Sequence, residues 1–463
     1  MTRTFPDIAI PEELIRRFDI AGPRYTSYPT ADRFAPTFGA DDLAHHLAQR
    51  ADDGGRPPLS LYVHLPFCAS LCYYCACNRI ITKEHRRSAK YLRYLEQELA
   101  ILAGQGIAGE RAVQLHFGGG TPTFLHADEL RELMRMLRQQ IVIAPEAEIS
   151  IEIDPRTVEE GTMPLLAELG FNRASLGVQD FDPAVQQAVH RVQSLQMVER
   201  VLQSSREAGF SSINFDLIYG LPKQSVASFS RTLDEVIRLS PERIALYNYA
   251  HLPTRFLAQR RIAEHDLPSA EERLQIFLLS LTRLLDAGYV YIGLDHFAKP
   301  DDELATALAA GTLHRNFQGY TTRAGCDLLG LGVSAISQIG ASYSQSVKTL
   351  DEYCARLDAG TLPVERGIVL TAEDQLRRRV IIGIMCGAPV DLGALCGETG
   401  LDASRHFAPE LAQLQPLVEL GLVALDRLRL TVLPKGRLFV RAVAMVFDVW
   451  LREATAARFS RLI

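Results

Sequence analysis

The sequence predicts an α/β fold: a partial (β/α)6-type TIM-like barrel with an N-terminal arm and a mostly helical C-terminal domain. Three observations predict it. From Leu59 onward, short β-branched and aromatic runs alternate with stretches of helical period, the rhythm of a parallel sheet with right-handed crossovers. Six or seven such units exceed what one mononucleotide-binding half needs and suit a barrel. One face of several strands is polar, whereas a packed barrel fills its interior with Val, Ile and Leu.

The elements follow in order. Residues 1–55 hold GPRYTSYPTA (22–31), an extended arm whose Arg24, Tyr25 and Tyr28 suit a clamp over a flat acidic ligand. Residues 56–345 form the barrel. Its strands are expected at 59–66, 113–119, 148–155, 173–179, 213–220 and 243–250, with a seventh at 289–297. Helical patterns lie between them at 88–103, 127–140, 158–169, 183–208 and 226–239. Ile149, Ile151 and Ile153 share one face of their strand; Ser150, Glu152 and Asp154 share the other. Gln114 and His116 share a face, as do Arg173, Ser175, Gly177 and Gln179, and Asn214 and Asp216. A parallel strand buried on both faces is normally apolar throughout, so a polar lumen that holds a polar ligand is expected. Residues 346–463 form the helical domain, ending in a short hairpin and a helix.

Composition excludes some classes. A net charge of −6 and a pI of about 6.1 do not favour nucleic acid. The start MTRTFPDIAI places acid and proline where a signal peptide needs an apolar core, and no run of 18 apolar residues spans a membrane. Free cysteines beside an oxidisable centre fit a cytoplasmic protein. No dimer stripe is evident, so a monomer is expected.

The chemistry is concentrated in HLPFCASLCYYCACN. Cys68, Cys72 and Cys75 have the spacing C-x3-C-x2-C, and Cys77 follows. Three thiolates on one loop can hold an iron–sulfur cube by three irons and leave the fourth open for chemistry. Zinc would want four ligands, usually in two separated pairs, and Cys75-x-Cys77 is tight for a closed tetrahedral site. Gly118-Gly119-Gly120-Thr121-Pro122 follows the second strand, where glycines allow close backbone approach. It reads as a tight βα turn or as a site for an amino-acid-type ligand. Glu152 and Asp216 can bond an amine or ribose hydroxyls, and Arg191 can meet a carboxylate; each is also a common type of satisfied polar residue. The loop 313–322 (LHRNFQGYTT) carries Arg315, and the glycine-punctuated run 328–340 reads as core or as the wall of a flat apolar pocket. The segment NRIITKEHRRSAKYLR carries six Lys or Arg, either a solvated helix face or a docking patch for an acidic reductant.

The three-cysteine loop, GGGTP and EIDP resemble the radical S-adenosylmethionine (SAM) enzymes. The arm GPRYTSYPTA, the Cys75-x-Cys77 doublet, HFGGGTPTF, VQDF, FDLIYGLPKQ, YAHLPT and HRNFQGYTT resemble, over essentially the whole chain, the oxygen-independent coproporphyrinogen III oxidase (dehydrogenase) family within them. The resemblance implies a barrel of the radical SAM type, with Cys68, Cys72 and Cys75 ligating a [4Fe–4S] cluster whose fourth iron chelates a first SAM. It implies Tyr62, Tyr74, Gly119 and Glu152 around that SAM. It implies Gly120, Thr121, Gln179, Arg191, Asp216, Ala250 and Ile336 around a second. Tyr74 departs from the pattern, which often has Phe there. The implied reaction is oxidative decarboxylation of two propionates of coproporphyrinogen III to vinyl groups, giving protoporphyrinogen IX in anaerobic haem synthesis. An external flavodoxin- or ferredoxin-like donor would supply electrons, and Arg24 and Arg315 are candidates to meet the substrate carboxylates. The rival readings are a haem-handling paralogue of the same fold, another radical SAM enzyme such as a methyltransferase, and a plain electron carrier.

Overall fold

The computed structural model describes residues 12–18, 20–52 and 56–453. It divides into two compact units. One comprises Phe34–Arg283 and Gly325–Val369; the other comprises Met1–Arg33, Leu284–Ala324 and Leu370–Ile463.

The first unit contains the barrel sheet. Its strands are β1 (Leu59–Leu65), β2 (Arg111–Gly119), β3 (Val142–Ile153), β4 (Arg173–Gln179), β5 (Ser212–Tyr219), β6 (Arg243–Asn248), β7 (Asp327–Leu331), β8 (Ile336–Ile339), β9 (Ser342–Ser346) and β10 (Val364–Val369). They run in the order β10-β9-β8-β7-β1-β2-β3-β4-β5-β6. From β7 to β6 every pairing is parallel; β8, β9 and β10 add antiparallel. The expected alternation sorts as predicted. Ile149, Ile151 and Ile153 are buried, and helices Ala127–Gln140, Leu195–Glu207 and Val226–Leu239 bury their apolar stripes in the crossovers.

The register aligns the polar face across strands, because residues i and i+2 share a side. Tyr62 lies opposite His116, His116 opposite Ser150, Glu152 opposite Ser175, and Gly177 opposite Asp216. Near the strand starts these groups satisfy one another. Ser60 Oγ donates to Gln114 Oε1 at 2.7 Å, Gln114 Nε2 to Glu148 Oε1 at 3.2 Å, and Arg173 pairs with Glu148 at 3.3 Å. That end of the lumen is therefore an internal polar network, and the residues left for a ligand lie toward the C-terminal strand ends.

Two expectations change. The seventh parallel strand is β7, one side of β1, rather than 289–297. The latter folds as an antiparallel pair, Val290–Gly293 with His296–Ala298, in the second unit. Its turn residues Leu294 and Asp295 have φ of 42° and 63°, which breaks the extended run. The three-part division at 55/56 and 345/346 also differs from the compact units. Arg50, from helix Ala40–Asp52, is buried against Glu110 at 3.0 Å and against Asp327 at the start of β7. That ties residues 34–52 to the barrel, and β10 carries the barrel sheet on to Val369. Removing one partner of such a buried pair costs about 3–5 kcal/mol.

The second unit contains helices Ala372–Met385 and Ala408–Glu419, the hairpin Val423–Asp426 with Arg429–Val432, and helix Val440–Met445. The arm is bound within it: Tyr25 Oη donates to Asp448 at 2.8 Å, and Arg441 Nε donates to the Pro23 carbonyl at 2.9 Å.

Candidate active site

The cysteine loop leaves the C-terminal end of β1. Cys68 and Cys72 are buried, Cys75 is half-buried and Cys77 is exposed. Three donors point at the first two sulfurs. Thr121 Oγ1 donates to Cys68 at 3.4 Å; Arg156 Nη2 and Arg191 Nη1 each donate to Cys72 at 3.5 Å. Burial pushes the Cys68 thiol up to about 11 against the Thr121 hydrogen bond. The Cys75 thiol is held below its ordinary value, first by a hydrogen bond with Cys77 and then, against burial, by Arg79 and Arg191. Cys77 is thus the foremost cause of the lowered Cys75 value. Among the described residues no three His, Cys, Asp or Glu groups converge on a single metal position. Ligands to separate irons of a cube need not do so.

Asp154 anchors both arginines. It accepts from Arg156 Nη2 at 2.6 Å and Arg191 Nη1 at 3.0 Å. Burial raises its carboxyl, but the two guanidinium groups outweigh that and hold it below the usual range. Burial opposes the Arg191 charge, but Tyr74, Asp154 and Cys72 keep it firmly protonated. Arg191 also donates to the Gly177 carbonyl at 2.6 Å. Tyr73 and Tyr74 sit between the second and third cysteines. The Tyr73 N–H donates to the Val189 carbonyl at 3.0 Å, and its ring stacks on His190 at 5.1 Å. Gln259 Nε2 donates to the carbonyls of Tyr74 at 3.0 Å and Ala250 at 3.2 Å, tying Ala250 to the cluster loop.

The glycine turn faces this loop. Gly119 has φ +113°, and a Cβ there would lie 2.6 Å from the His64 ring; one on Gly120 would lie 2.7 Å from the Pro66 backbone. Only glycine permits both the conformation and the approach. The Gly119 N–H donates to Glu152 Oε2 at 3.0 Å. Burial raises the Glu152 carboxyl, but His116 and the Gly119 N–H together hold it below its ordinary value. Tyr62 stacks on His116 at 5.8 Å and shares a hydrogen bond with His64 at 3.0 Å. Ile336 opens β8, where its carbonyl passes 2.5 Å from the place a Cβ on Gly330 would take. Gly330 is the partner of Tyr62 across β1 and β7.

A second group lies on β4 and β5. Gln179 holds a left-handed backbone at φ +66°, and its buried Oε1 has no hydrogen-bond partner. Asp216 accepts from Ser175 Oγ at 2.8 Å and Asn214 Nδ2 at 2.9 Å. Burial pushes its carboxyl up to about 7. An orphaned buried amide oxygen, a carboxylate in reserve and a firmly charged arginine form an incomplete polar set that a zwitterionic nucleoside-bearing ligand would complete.

All fourteen site residues expected from the sequence lie in the barrel unit, on the cysteine loop, on the barrel strands or in the connections that follow them, or at the start of β8. Sequence reasoning missed Arg156, His64 and His116 as participants. His116 had been placed on the polar face, and Arg156 stands just beyond EIDP, but neither carries a spacing signal of its own.

A thiolate loop and a glycine turn at the mouth of a parallel α/β barrel define a radical SAM enzyme. The radical SAM superfamily profile matches residues 62–236, and the HemN C-terminal domain profile matches residues 370–439. The chain is 50% identical to the oxygen-independent coproporphyrinogen III oxidase of Pseudomonas aeruginosa, over 97% of this chain and 98% of that protein. It is 46% identical to that of Escherichia coli K12, over 97% of this chain and 98% of that protein. The solved structure of the E. coli enzyme, described as a radical SAM enzyme, superposes with a TM-score of 0.90 at 46% identity, covering 95% of this chain and 98% of that one. The chain belongs to the oxygen-independent coproporphyrinogen III oxidase family. Membership implies a [4Fe–4S] cluster and SAM, and the donor set around Cys68 and Cys72 fits both.

Proposed function

We propose that this enzyme oxidatively decarboxylates two propionate side chains of coproporphyrinogen III to vinyl groups, giving protoporphyrinogen IX. The observation that carries the reading is the loop of three thiols, donor-stabilised at two of them and set over the Glu152–Gly119 turn, in a chain related over nearly its whole length to enzymes of that name. When bound, the cluster and SAM supply the one-electron cleavage that removes a hydrogen atom from a propionate β-carbon; loss of CO2 and one electron to an acceptor then leaves the vinyl group.

The protein's share is holding, orienting and excluding. Cys68, Cys72 and Cys75 hold the cluster, and Thr121, Arg156 and Arg191 offset the negative charge on two of the sulfurs. Glu152, ionised and fixed by Gly119, would accept from the amino group of the first SAM, and Tyr62 and Tyr74 would line its site. Gln179, Arg191 and Asp216, with Gly120, Thr121, Ala250 and Ile336, receive a second SAM. Arg24 and Arg315 meet substrate carboxylates. Arg315 is buried with its guanidinium 4.7 Å over the Tyr320 ring. Burial, then the charges of Arg315 and Arg24, push His296 down to about 4, as expected of a local cationic field. Residues 1–55 serve the substrate side. An external flavodoxin- or ferredoxin-like protein supplies the electron. No disulfide joins any of the eight cysteines, which suits a reducing compartment, and we take the enzyme to act in the cytoplasm as a monomer. No helix among the described residues is long and apolar enough to cross a membrane.

The test is anaerobic incubation of the reconstituted enzyme with coproporphyrinogen III, SAM and dithionite. Vinyl products, CO2 and 5′-deoxyadenosine are expected together. 5′-Deoxyadenosine without vinyl products, or tight haem binding without turnover, would overturn the reading.

A further inference from the structure

The basic segment after the cysteines has a structural position that its sequence did not reveal. Residues Ile80–Ile81 pair in parallel with Phe67–Cys68, placing Ile81 beside Cys68. The Thr82 N–H donates to the Cys68 carbonyl at 2.9 Å, and the Ile80 N–H donates to the Pro66 carbonyl at 2.7 Å. The segment is therefore hydrogen-bonded directly to the backbone of a cluster ligand. Ile81 is 42% exposed, unusual for an isoleucine one hydrogen-bonded strand from a buried thiol. Around it, Lys83, Arg86, Arg87, Lys90 and Arg93 are all exposed, with Glu84 paired to Arg86 at 3.1 Å.

The placement of these charges works against local stability. Arg86 and Arg87 open helix Arg86–Leu102, which has no acidic residue in its first turn and no side-chain cap at His85. A helix N-terminus is the positive end of the macrodipole and favours acids. Cations there add to the helix field and strengthen a positive patch. Beside it a groove of about 450 Å³ is lined by Ala69, Lys83, His85, Phe124, His126 and Arg131, with Glu159 and Glu160 among its other residues. Ala69 follows Cys68 directly, so the groove reaches the cluster loop.

We propose that the face formed by Ile81, Lys83, Arg86, Arg87 and Lys90 is the docking surface for a small acidic one-electron carrier protein. The proposal rests on the radical SAM reading, which requires one electron to enter the cluster for each decarboxylation. That electron leaves the carrier and enters the cluster, and no atom is transferred. The basic rim steers an acidic partner, and Ile81 supplies the apolar centre that excludes water over the strand hydrogen-bonded to Cys68.

The test compares the wild-type holoenzyme with the triple variant Lys83→Glu, Arg86→Glu, Arg87→Glu. Cluster reduction by a pre-reduced flavodoxin is followed by stopped-flow absorbance, and binding of the same flavodoxin by calorimetry. The variant should be reduced about tenfold or more slowly and bind correspondingly more weakly, and the wild-type rate should fall steeply between about 20 and 300 mM salt. Dithionite needs no docking surface, so cluster bleaching and turnover with it should be unchanged, which also shows that the variant is folded. If the triple variant does not fold, the exposed single change Arg87→Glu carries the comparison. Equal flavodoxin rates in variant and wild type, or a wild-type rate flat in salt, overturn the proposal. Failure of the wild-type enzyme to form vinyl products with dithionite would instead sink the activity reading and leave the reduction measurements to decide the docking surface.

Discussion

Glu98 offers a sharp test of how the barrel holds the turn beside its site. It lies in helix Arg86–Leu102, only 4% exposed. Its Oε2 accepts from Tyr353 Oη at 2.6 Å and from the Gly332 N–H at 2.8 Å. Beside it, the Val333 N–H donates to Tyr91 Oη at 3.0 Å, and Tyr91 Oη donates to the His64 carbonyl at 2.9 Å. Burial pushes the Glu98 carboxyl up to about 7, partly opposed by the Tyr353 and Gly332 hydrogen bonds. The folded state therefore binds more protons than the unfolded chain between the ordinary value of 4.5 and about 7. Stability from this group is full below that window and is lost as pH rises through it. From pH 5 to pH 8 the loss is about 2 to 3 kcal/mol, at about 1.4 kcal/mol per pH unit. Glu98→Gln keeps an accepting oxygen and removes the titration. Urea unfolding of the apo-protein at pH 5, 6, 7 and 8, wild type against Glu98→Gln, isolates the effect from other titrating groups. The variant should gain on the wild type by about 2 to 3 kcal/mol over that range. A difference independent of pH, or one of opposite sign, would refute the reasoning.

Two further predictions concern the site. Thr121→Val removes the hydroxyl that donates to Cys68 at 3.4 Å. A donor to a ligand sulfur favours the more negative reduced cluster, and about 1 kcal/mol of lost hydrogen bonding lowers the one-electron potential by about 40 mV in spectroelectrochemical titration; an unchanged or raised potential counts against the contact. Asp216→Asn should weaken SAM binding more at pH 8 than at pH 6, because the wild-type carboxyl ionises only near 7. Equilibrium dialysis at the two pH values reads the ratio of dissociation constants, and a ratio that does not rise with pH removes the carboxylate from the site.

The six strands before residue 250 were legible because their patterns are local. A period of two fixes which side chains share a face, and the cysteine spacing announces itself. The alternation in 148–155 named Glu152 and Asp154 as inward residues before their partners were known. The seventh parallel strand was not legible, because what distinguishes DLLGL from any apolar run is its pairing with LSLYV, far away in sequence. YVYIGLDHF made a better strand by composition; its interruption depends on two residues with positive φ that periodicity does not reveal. Polar residues on the lumen face suggested a ligand, yet Ser60, Gln114, Glu148 and Arg173 satisfy one another. Whether a polar side chain serves a neighbour or a ligand is set by register, which no single strand contains. Arg156 was hidden for the reverse reason: its role depends on a thiol in another loop.

The placement of β1 between β7 and β2 bears on how the enzyme meets air. Its backbone is laddered on both sides, so it belongs to the most protected part of the barrel, while the cysteine loop beyond it can open separately. Oxidative loss of the cluster would free the loop without releasing the strand that carries it. Damage should therefore be confined and repairable: a folded apo-protein, protected in hydrogen exchange over Leu59–Leu65, that takes up iron and sulfide again once oxygen is removed.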